Sequence, residues 1–189
     1  MSVSAVWKEG FRMNTVDASS PRGMSPVKKL VIIALLVALS VVLERLLGYN
    51  GKVLNISFGY LPIALAGMLL GPVPGALAGA LGDFLGAMLF PVGPINPFFI
   101  LVAAVQGALY GLFLHQPFFS RWRLILCQLI ITVVLHIVVN TFILVPIVGK
   151  SFLALMPARA LKNFLFIPVE VFTLIKMQEY RGAMEGLIK

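Results

Sequence analysis

Charge is scarce in this chain: Asp, Glu, Lys and Arg make up 12% of its 189 residues, where a soluble domain carries about a quarter. With 60% hydrophobic residues and a mean hydropathy of +1.00, a water-soluble fold is excluded. The chain reads as an integral membrane protein. Acidic residues are scarcer still, seven against fifteen basic ones, and no paired acidic cluster offers to hold a metal. Cys127 is the single cysteine, which excludes a disulfide framework and a multi-cysteine metal site. In its apolar run it reads as a small buried residue. Also missing are His-Glu-x-x-His and Gly-x-Ser-x-Gly. Gly149-Lys150-Ser151 resembles the end of a phosphate loop, but Leu144 stands where the first glycine belongs. No cofactor is implied and no motif for ATP hydrolysis is present, so uphill movement of a solute would draw its energy from another subunit. The basic residues are spread over both ends and the loops, not gathered on a stripe with stacking aromatics. That pattern argues against nucleic acid and suits membrane topology and an anionic solute.

What the chain does have is a series of long apolar runs. The first, Leu30 to Leu47, follows Lys28-Lys29 and is broken only by Ser40 and Glu44-Arg45, long enough to cross a bilayer. Its two lysines place its start in the cytoplasm. Ala34 and Ala38, four apart, give one face two small side chains where another helix can approach closely. Arg45 lies eleven residues after Ala34, about three turns, which puts it within about twenty degrees of that face on a regular α-helix. Residues 1–27 are expected to form a disordered cytoplasmic tail, with Met13 and Met24 as alternative starts. Gly48 to Asn55 is expected to be an outer loop. Ser57 to Leu70 forms a short second span, broken at Gly71-Pro72-Val73-Pro74-Gly75. The third span, Ala76 to Phe90, is rich in glycine and alanine and made for close backbone contact. Spans four to six run over Phe98–Leu114, Leu124–Val145 and Leu153–Ile175, with residues 179–189 as a cytoplasmic tail. The expected fold is therefore all-α: a six-transmembrane-helix bundle over residues 28–178, both termini cytoplasmic, with an outward-facing ligand cavity. No internal repeat is visible, so an inverted-repeat carrier is not supported.

Ionisable groups at membrane depth are expensive and default candidates for function. They are Glu44, Arg45, Asp83, His136, Arg159, Lys162 and Glu170. Arg159 and Lys162 share a face of the last helix with Asn163, and with Arg45 they would place three positive charges around an outer mouth suited to a carboxylate. Interfacial snorkelling is the competing reading. Asp83 would accept N–H groups from a ligand ring, hold an arginine, or cap a broken helix. Asn96, Gln106 and Asn140 are neutral polar groups able to face the same cavity or to bond between helices. His136 reads as a satisfied bundle histidine, and Glu170, at the depth of Gln128, as structural.

Four stretches carry a family resemblance: Phe58-Gly59-Tyr60-Leu61-Pro62-Ile63-Ala64; Gly71-Pro72 through Gly79-Ala80-Leu81-Gly82-Asp83; Phe90-Pro91-x-Gly93; and Leu155-x-Pro157-Ala158-Arg159-x-x-Lys162-Asn163. Over about residues 26–176 the chain resembles the substrate-binding S components of energy-coupling-factor (ECF) vitamin transporters, and among them the folate family. The resemblance implies a multi-pass protein of a prokaryotic cell membrane that captures folate or a related vitamin without energy. It implies partners as well, a transmembrane coupling protein and two ATPases, with Ala34 and Ala38 resembling the docking signature for the coupling protein. The whole subunit would topple in the bilayer to deliver its ligand, with residues 48–55 as a gate. Folate chemistry fits the residues: two carboxylates for Arg45, Arg159 and Lys162, and ring edges for Asp83, Asn96 or Asn140. The flat face of the ring suits Phe58, Tyr60 or Phe98. The segment Pro94-Ile-Asn96-Pro97-Phe98-Phe99 departs from the family's aromatic-glycine pattern, and that leaves another heterocyclic vitamin or a pterin as the alternative ligand. A small membrane enzyme acting on a lipid or prenyl group would need convergent acidic or His ligands, of which the sequence offers only isolated ones, and a ligand-free structural subunit gives no reason for Arg159 and Lys162 beside Asn163.

Overall fold

The fold begins with caps written into the sequence. In the computed structural model, which describes residues 24–50, 55–91, 95–116, 120–149 and 151–188, Ser25 Oγ accepts the Lys28 N–H at 3.3 Å. Pro26 occupies the first turn, where a missing N–H costs nothing. Helix α1 runs over Pro26–Val41 and widens into a π-helical turn over Val42–Leu46. A two-residue antiparallel ladder comes next, β1 at Tyr49–Asn50 and β2 at Asn55–Ile56, with Tyr49 opposite Ile56. The expected outer loop thus starts and ends as a hairpin, and its residues 51–54 lie outside the described residues. So do residues 1–23 of the expected tail, residues 92–94, and Lys150.

Helix α2, Tyr60–Leu70, is joined to α3, Pro72–Leu89, through Gly71, whose φ of 101° is a conformation that glycine adopts freely. Helix α4, Pro97–Leu114, is capped by Asn96, whose Oδ1 accepts the Phe98 N–H at 3.0 Å. Helix α5 comprises an α-helical part Arg121–Ile130, a π-helical part Ile131–Val139 and a last α-helical part Asn140–Val148. It stops at Gly149 in the left-handed region, φ 69°. Helix α6, Phe152–Glu179, contains Pro157 and Pro168. The residues after it, expected as a tail, form helix α7 at Arg181–Ile188.

Among the described residues, five stretches are long and apolar enough to cross a membrane: Pro26–Leu46, Pro72–Leu89, Pro97–Leu114, Arg121–Ile147 and Phe152–Glu179. Helix α2 is the exception. Its 11 residues span about 16 Å, about half of a hydrocarbon core of roughly 30 Å, and nearly all its side chains are buried. It lies wrapped in protein rather than reaching from surface to surface.

Glycine sets the closest helix contacts. A Cβ added to Gly79 of α3 would strike the Ala103 carbonyl of α4, and one added to Gly107 of α4 would strike the Gly75 carbonyl of α3. Small residues let the two backbones meet in this way, and no side chain can be inserted without separating them. Gly82 and Gly86, further along α3, lie instead against Ser40 and Arg45 of α1. One end of the bundle is tied by polar groups: His115 Nδ1 lies 3.2 Å from the Met68 carbonyl. Arg181 of α7 donates to the carbonyls of Leu114, His115 and Gln116 at 2.9, 3.0 and 2.8 Å, satisfying groups that the end of α4 leaves open.

Candidate functional site

The ionisable residues at membrane depth fall into separate groups. The first lies where α1 meets α3. Arg45 Nη2 is 3.6 Å from Glu44 and 3.5 Å from Asp83, and the Arg45 and Asp83 side chains are 10% and 18% exposed. The arginine stem lies over Gly86 and Glu44 lies over Gly59. One positive and two negative groups do not make a cationic mouth. Of the three roles open to Asp83, the structure shows it holding an arginine.

Arg45 does not share the Ala34 face, contrary to the count along a regular helix. Ala34 and Ala38 are exposed on the outer side of α1, whereas Arg45 points inward against α3. The π-helical turn at Val42–Leu46 explains the difference. It bonds i to i+5, so its residues turn by less than the 100° of a regular helix, and the count from Ala34 no longer holds at Arg45.

The second group is built on α6. Arg159, Lys162, Asn163, Phe166 and Glu170 recur at helical spacing and form one stripe, of which Asn163 and Glu170 are buried. Arg159 Nη2 donates to the His136 carbonyl on α5 at 3.4 Å. Lys162 Nζ sits 5.8 Å from the centre of the Phe166 ring, a cation–π distance. Phe58 lies 6.5 Å from Phe166 and 6.4 Å from Tyr60. The aromatic residues before and at the start of α2 are thereby brought beside the lysine of α6. Behind Arg159, His136 Nε2 donates to Gln106 Oε1 at 3.1 Å, so His136 is a satisfied bundle histidine, as expected.

A third, buried group closes the bundle below. Tyr110 donates to Gln128 at 2.8 Å, and the Gln128 amide donates to Glu170 at 2.7 Å. Thr132 also reaches Glu170, at 3.4 Å. Tyr60 and Thr173 share a hydrogen bond of 2.7 Å. Glu170 and Gln128, matched in depth by the sequence, are thus direct partners, and a charge that would be costly alone is surrounded by donors.

The structure therefore brings together Phe58, Tyr60, Lys162 and, through His136, Arg159, with Asn163 on the same stripe. Arg45 and Asp83 pair with each other, and Glu44, the other partner of Arg45, lies against Gly59, between Phe58 and Tyr60. Asn96 caps α4, and Phe98, in the first turn of that helix, is 59% exposed. Sequence reasoning missed Phe166, although it lies four residues after Lys162. It noted Gln106 only as one polar group among several. Among the described residues no three His, Cys, Asp or Glu side chains cluster to hold a metal.

Comparison with known proteins points in one direction. Residues 28–178 match the family described as ECF transporter, substrate-specific component. A folate transporter FolT of Clostridium novyi (strain NT) is 32% identical over 151 residues, covering 80% of this chain and 88% of that protein. A second folate transporter FolT, from Leuconostoc mesenteroides subsp. mesenteroides, is 30% identical over 152 residues, with 76% and 80% covered. In three dimensions the chain resembles the crystal structure of FolT bound with folic acid, with a TM-score of 0.76 and 30% identity. That similarity covers 80% of this chain and 94% of the other.

Proposed function

The chain belongs to the substrate-specific components of ECF transporters, and from that premise we propose that its ligand is folate. It is the multi-pass membrane subunit that binds the vitamin and works with a coupling protein and two ATPases. The observation that carries the ligand assignment is the stripe on α6: Arg159 and Lys162, three residues apart, beside the aromatic group Phe58, Tyr60 and Phe166. Two cations next to flat apolar rings match a molecule with two carboxylates at one end and a planar heterocycle at the other. The likeness to a FolT with folic acid bound supports the same reading.

The binding residues are Phe58, Tyr60, Asn140, Arg159, Lys162 and Asn163. Arg45 with Asp83, and Asn96, hold the bundle's shape. The end of the bundle that carries Arg121, Arg123, Lys176 and Arg181, together with Lys28 and Lys29 at the start of α1, faces the cytoplasm. The exposed Trp122 beside two arginines suits a membrane interface. Ala34 and Ala38, on the outer face of α1, meet the coupling protein.

Calorimetric titration of the purified, detergent-solubilised chain with folic acid tests the reading, with thiamine and riboflavin as controls. One-to-one binding of folic acid alone is expected. Binding of a control instead, or of none of the three by a chain shown to be folded, would withdraw folate.

A further inference from the structure

The start of α5 and the end of α6 hold a charged patch that capture of the vitamin does not use. Residues 120–123 and 176–181 contain four basic residues, Arg121, Arg123, Lys176 and Arg181, and one acidic residue, Glu179. The two stretches adjoin: Leu124 and Leu174 pack in one core, and Arg121 lies within electrostatic range of Lys176 and Glu179. Arg123 donates to Gln116 Oε1, and Arg181 to the carbonyls at the end of α4. Glu179 offsets one charge, 2.9 Å from Lys176. A surplus of positive charge remains, with Arg121 and Lys176 exposed.

Beyond the cations, each helix turns an apolar face outward. On α5, Trp122, Leu126 and Leu129 recur at helical spacing, opposite the buried Leu124, Cys127 and Gln128, and Trp122 is 75% exposed. On α6, Leu165 and Phe172 share the face of Lys176 and are exposed, and Tyr180 ends the helix 65% exposed. Along the bundle the order is therefore cation, then amphipathic ring, then bare hydrocarbon. An anionic phospholipid has the complementary order. Indole and phenol rings settle at the headgroup level, and basic pockets between transmembrane helices receive anionic headgroups. A soluble anion would use the cations and leave the apolar faces without a role, and a zwitterionic lipid would bring a cation of its own to them.

We propose that the adjoining ends of α5 and α6 form a site for an anionic phospholipid. Arg121 and Lys176 take the headgroup phosphate, Trp122 and Tyr180 flank it, and the acyl chains lie along the faces of Leu126 and Phe172. The site rests on the membrane reading alone and stands whichever vitamin the bundle binds.

The sequence has two tryptophans, Trp7 and Trp122, so Trp7→Phe leaves Trp122 as the only indole reporter. The Trp7→Phe chain is reconstituted into vesicles of equal parts phosphatidylglycerol and phosphatidylcholine, with bromine on the acyl chains of one lipid or the other. Quenching of Trp122 should favour brominated phosphatidylglycerol, by a relative affinity of about fivefold or more, the effect of one basic side chain at an anionic surface. Adding Arg121→Gln and Lys176→Gln should bring the two lipids close to parity. Salt at about 1 M, where the screening length is about 3 Å, should weaken the preference in the Trp7→Phe chain itself, an arm that does not depend on the variant folding. Equal quenching by the two brominated lipids would overturn the proposal and leave the cations to topology or to an acidic protein partner. A preference that persists in the folded Arg121→Gln, Lys176→Gln chain, or unchanged in high salt, would overturn it as well. Loss of the preference on adding inorganic phosphate at constant ionic strength would give the site to a soluble anion instead.

Discussion

Replacing Arg45 with alanine separates a structural arginine from a ligand-binding one. The guanidinium lies 3.5 Å from Asp83 and 3.6 Å from Glu44, with all three side chains less than a fifth exposed. At 3.5 Å one such attraction amounts to about 5 kcal/mol at an effective dielectric of 20. Desolvation of the three groups offsets much of it. Deletion is more damaging than that balance suggests, because two carboxylates remain facing each other with no cation between them, and breaking a buried pair costs roughly 3 to 5 kcal/mol. Both distances exceed a direct hydrogen bond, so the lower end, about 3 kcal/mol, is expected for unfolding of the ligand-free chain in mixed detergent micelles. Arg45→Ala combined with Asp83→Ala should recover about 1 to 2 kcal/mol, because one of the stranded charges goes too. Folic acid affinity, measured by calorimetry on folded protein, should stay within about twofold of the unaltered chain, less than 0.5 kcal/mol. A tenfold or larger loss of affinity in Arg45→Ala with unchanged unfolding energy would refute the reasoning and return Arg45 to the binding site.

Three further outcomes are expected. Arg159→Ala should weaken folic acid binding by about 1.5 to 3 kcal/mol through loss of a charged hydrogen bond; calorimetry showing no change would remove Arg159 from the site. Gly79→Leu or Gly107→Leu should abolish the close approach of α3 and α4, since even a Cβ meets the facing carbonyl. Size-exclusion chromatography should then show little folded protein, and a monodisperse, folate-binding peak would count against the contact. Tryptophan at Ala34 and Ala38 should leave folic acid binding by the isolated chain intact and stop uptake in cells that supply the coupling protein and ATPases; lost binding would mean that the alanines pack within the bundle.

Much of this architecture could be read from residue types. The break expected at Gly71-Pro72 is the joint between α2 and α3, where Gly71 has a positive φ, whereas Asn96, expected beside a ligand or another helix, serves the first N–H groups of α4, as Ser25 and Ser120 serve those of α1 and α5. The glycine run of α3 predicts a close helix neighbour, and the neighbour is α4. Local chemistry decides these features, and local chemistry is what a sequence carries. The shortness of α2 was partly visible in its span length. Its immersion was not, because immersion depends on the helices around it.

The misplacement of Arg45 has a physical source in helix register. A residue's face is counted at 100° per position, and the count fails wherever the helix changes its pitch. Both π-helical segments fall on ionisable groups: Val42–Leu46 carries Glu44 and Arg45, and Ile131–Val139 carries His136. Apolar side chains tolerate either register because lipid and core accept them alike. A charge does not, since a turn of 100° decides between hydrocarbon and a partner worth several kcal/mol. The widened turn at Val42–Leu46 carries Arg45, which meets Asp83 at 3.5 Å. A similar account holds on α5, where the π-helical segment sets His136 against Gln106 and delivers its carbonyl to Arg159. Both register shifts fall on polar groups that have partners, and Arg45, inside the first, departs from the count along the sequence, whereas Arg159, Lys162 and Asn163 on α6 keep the shared stripe that the count gives.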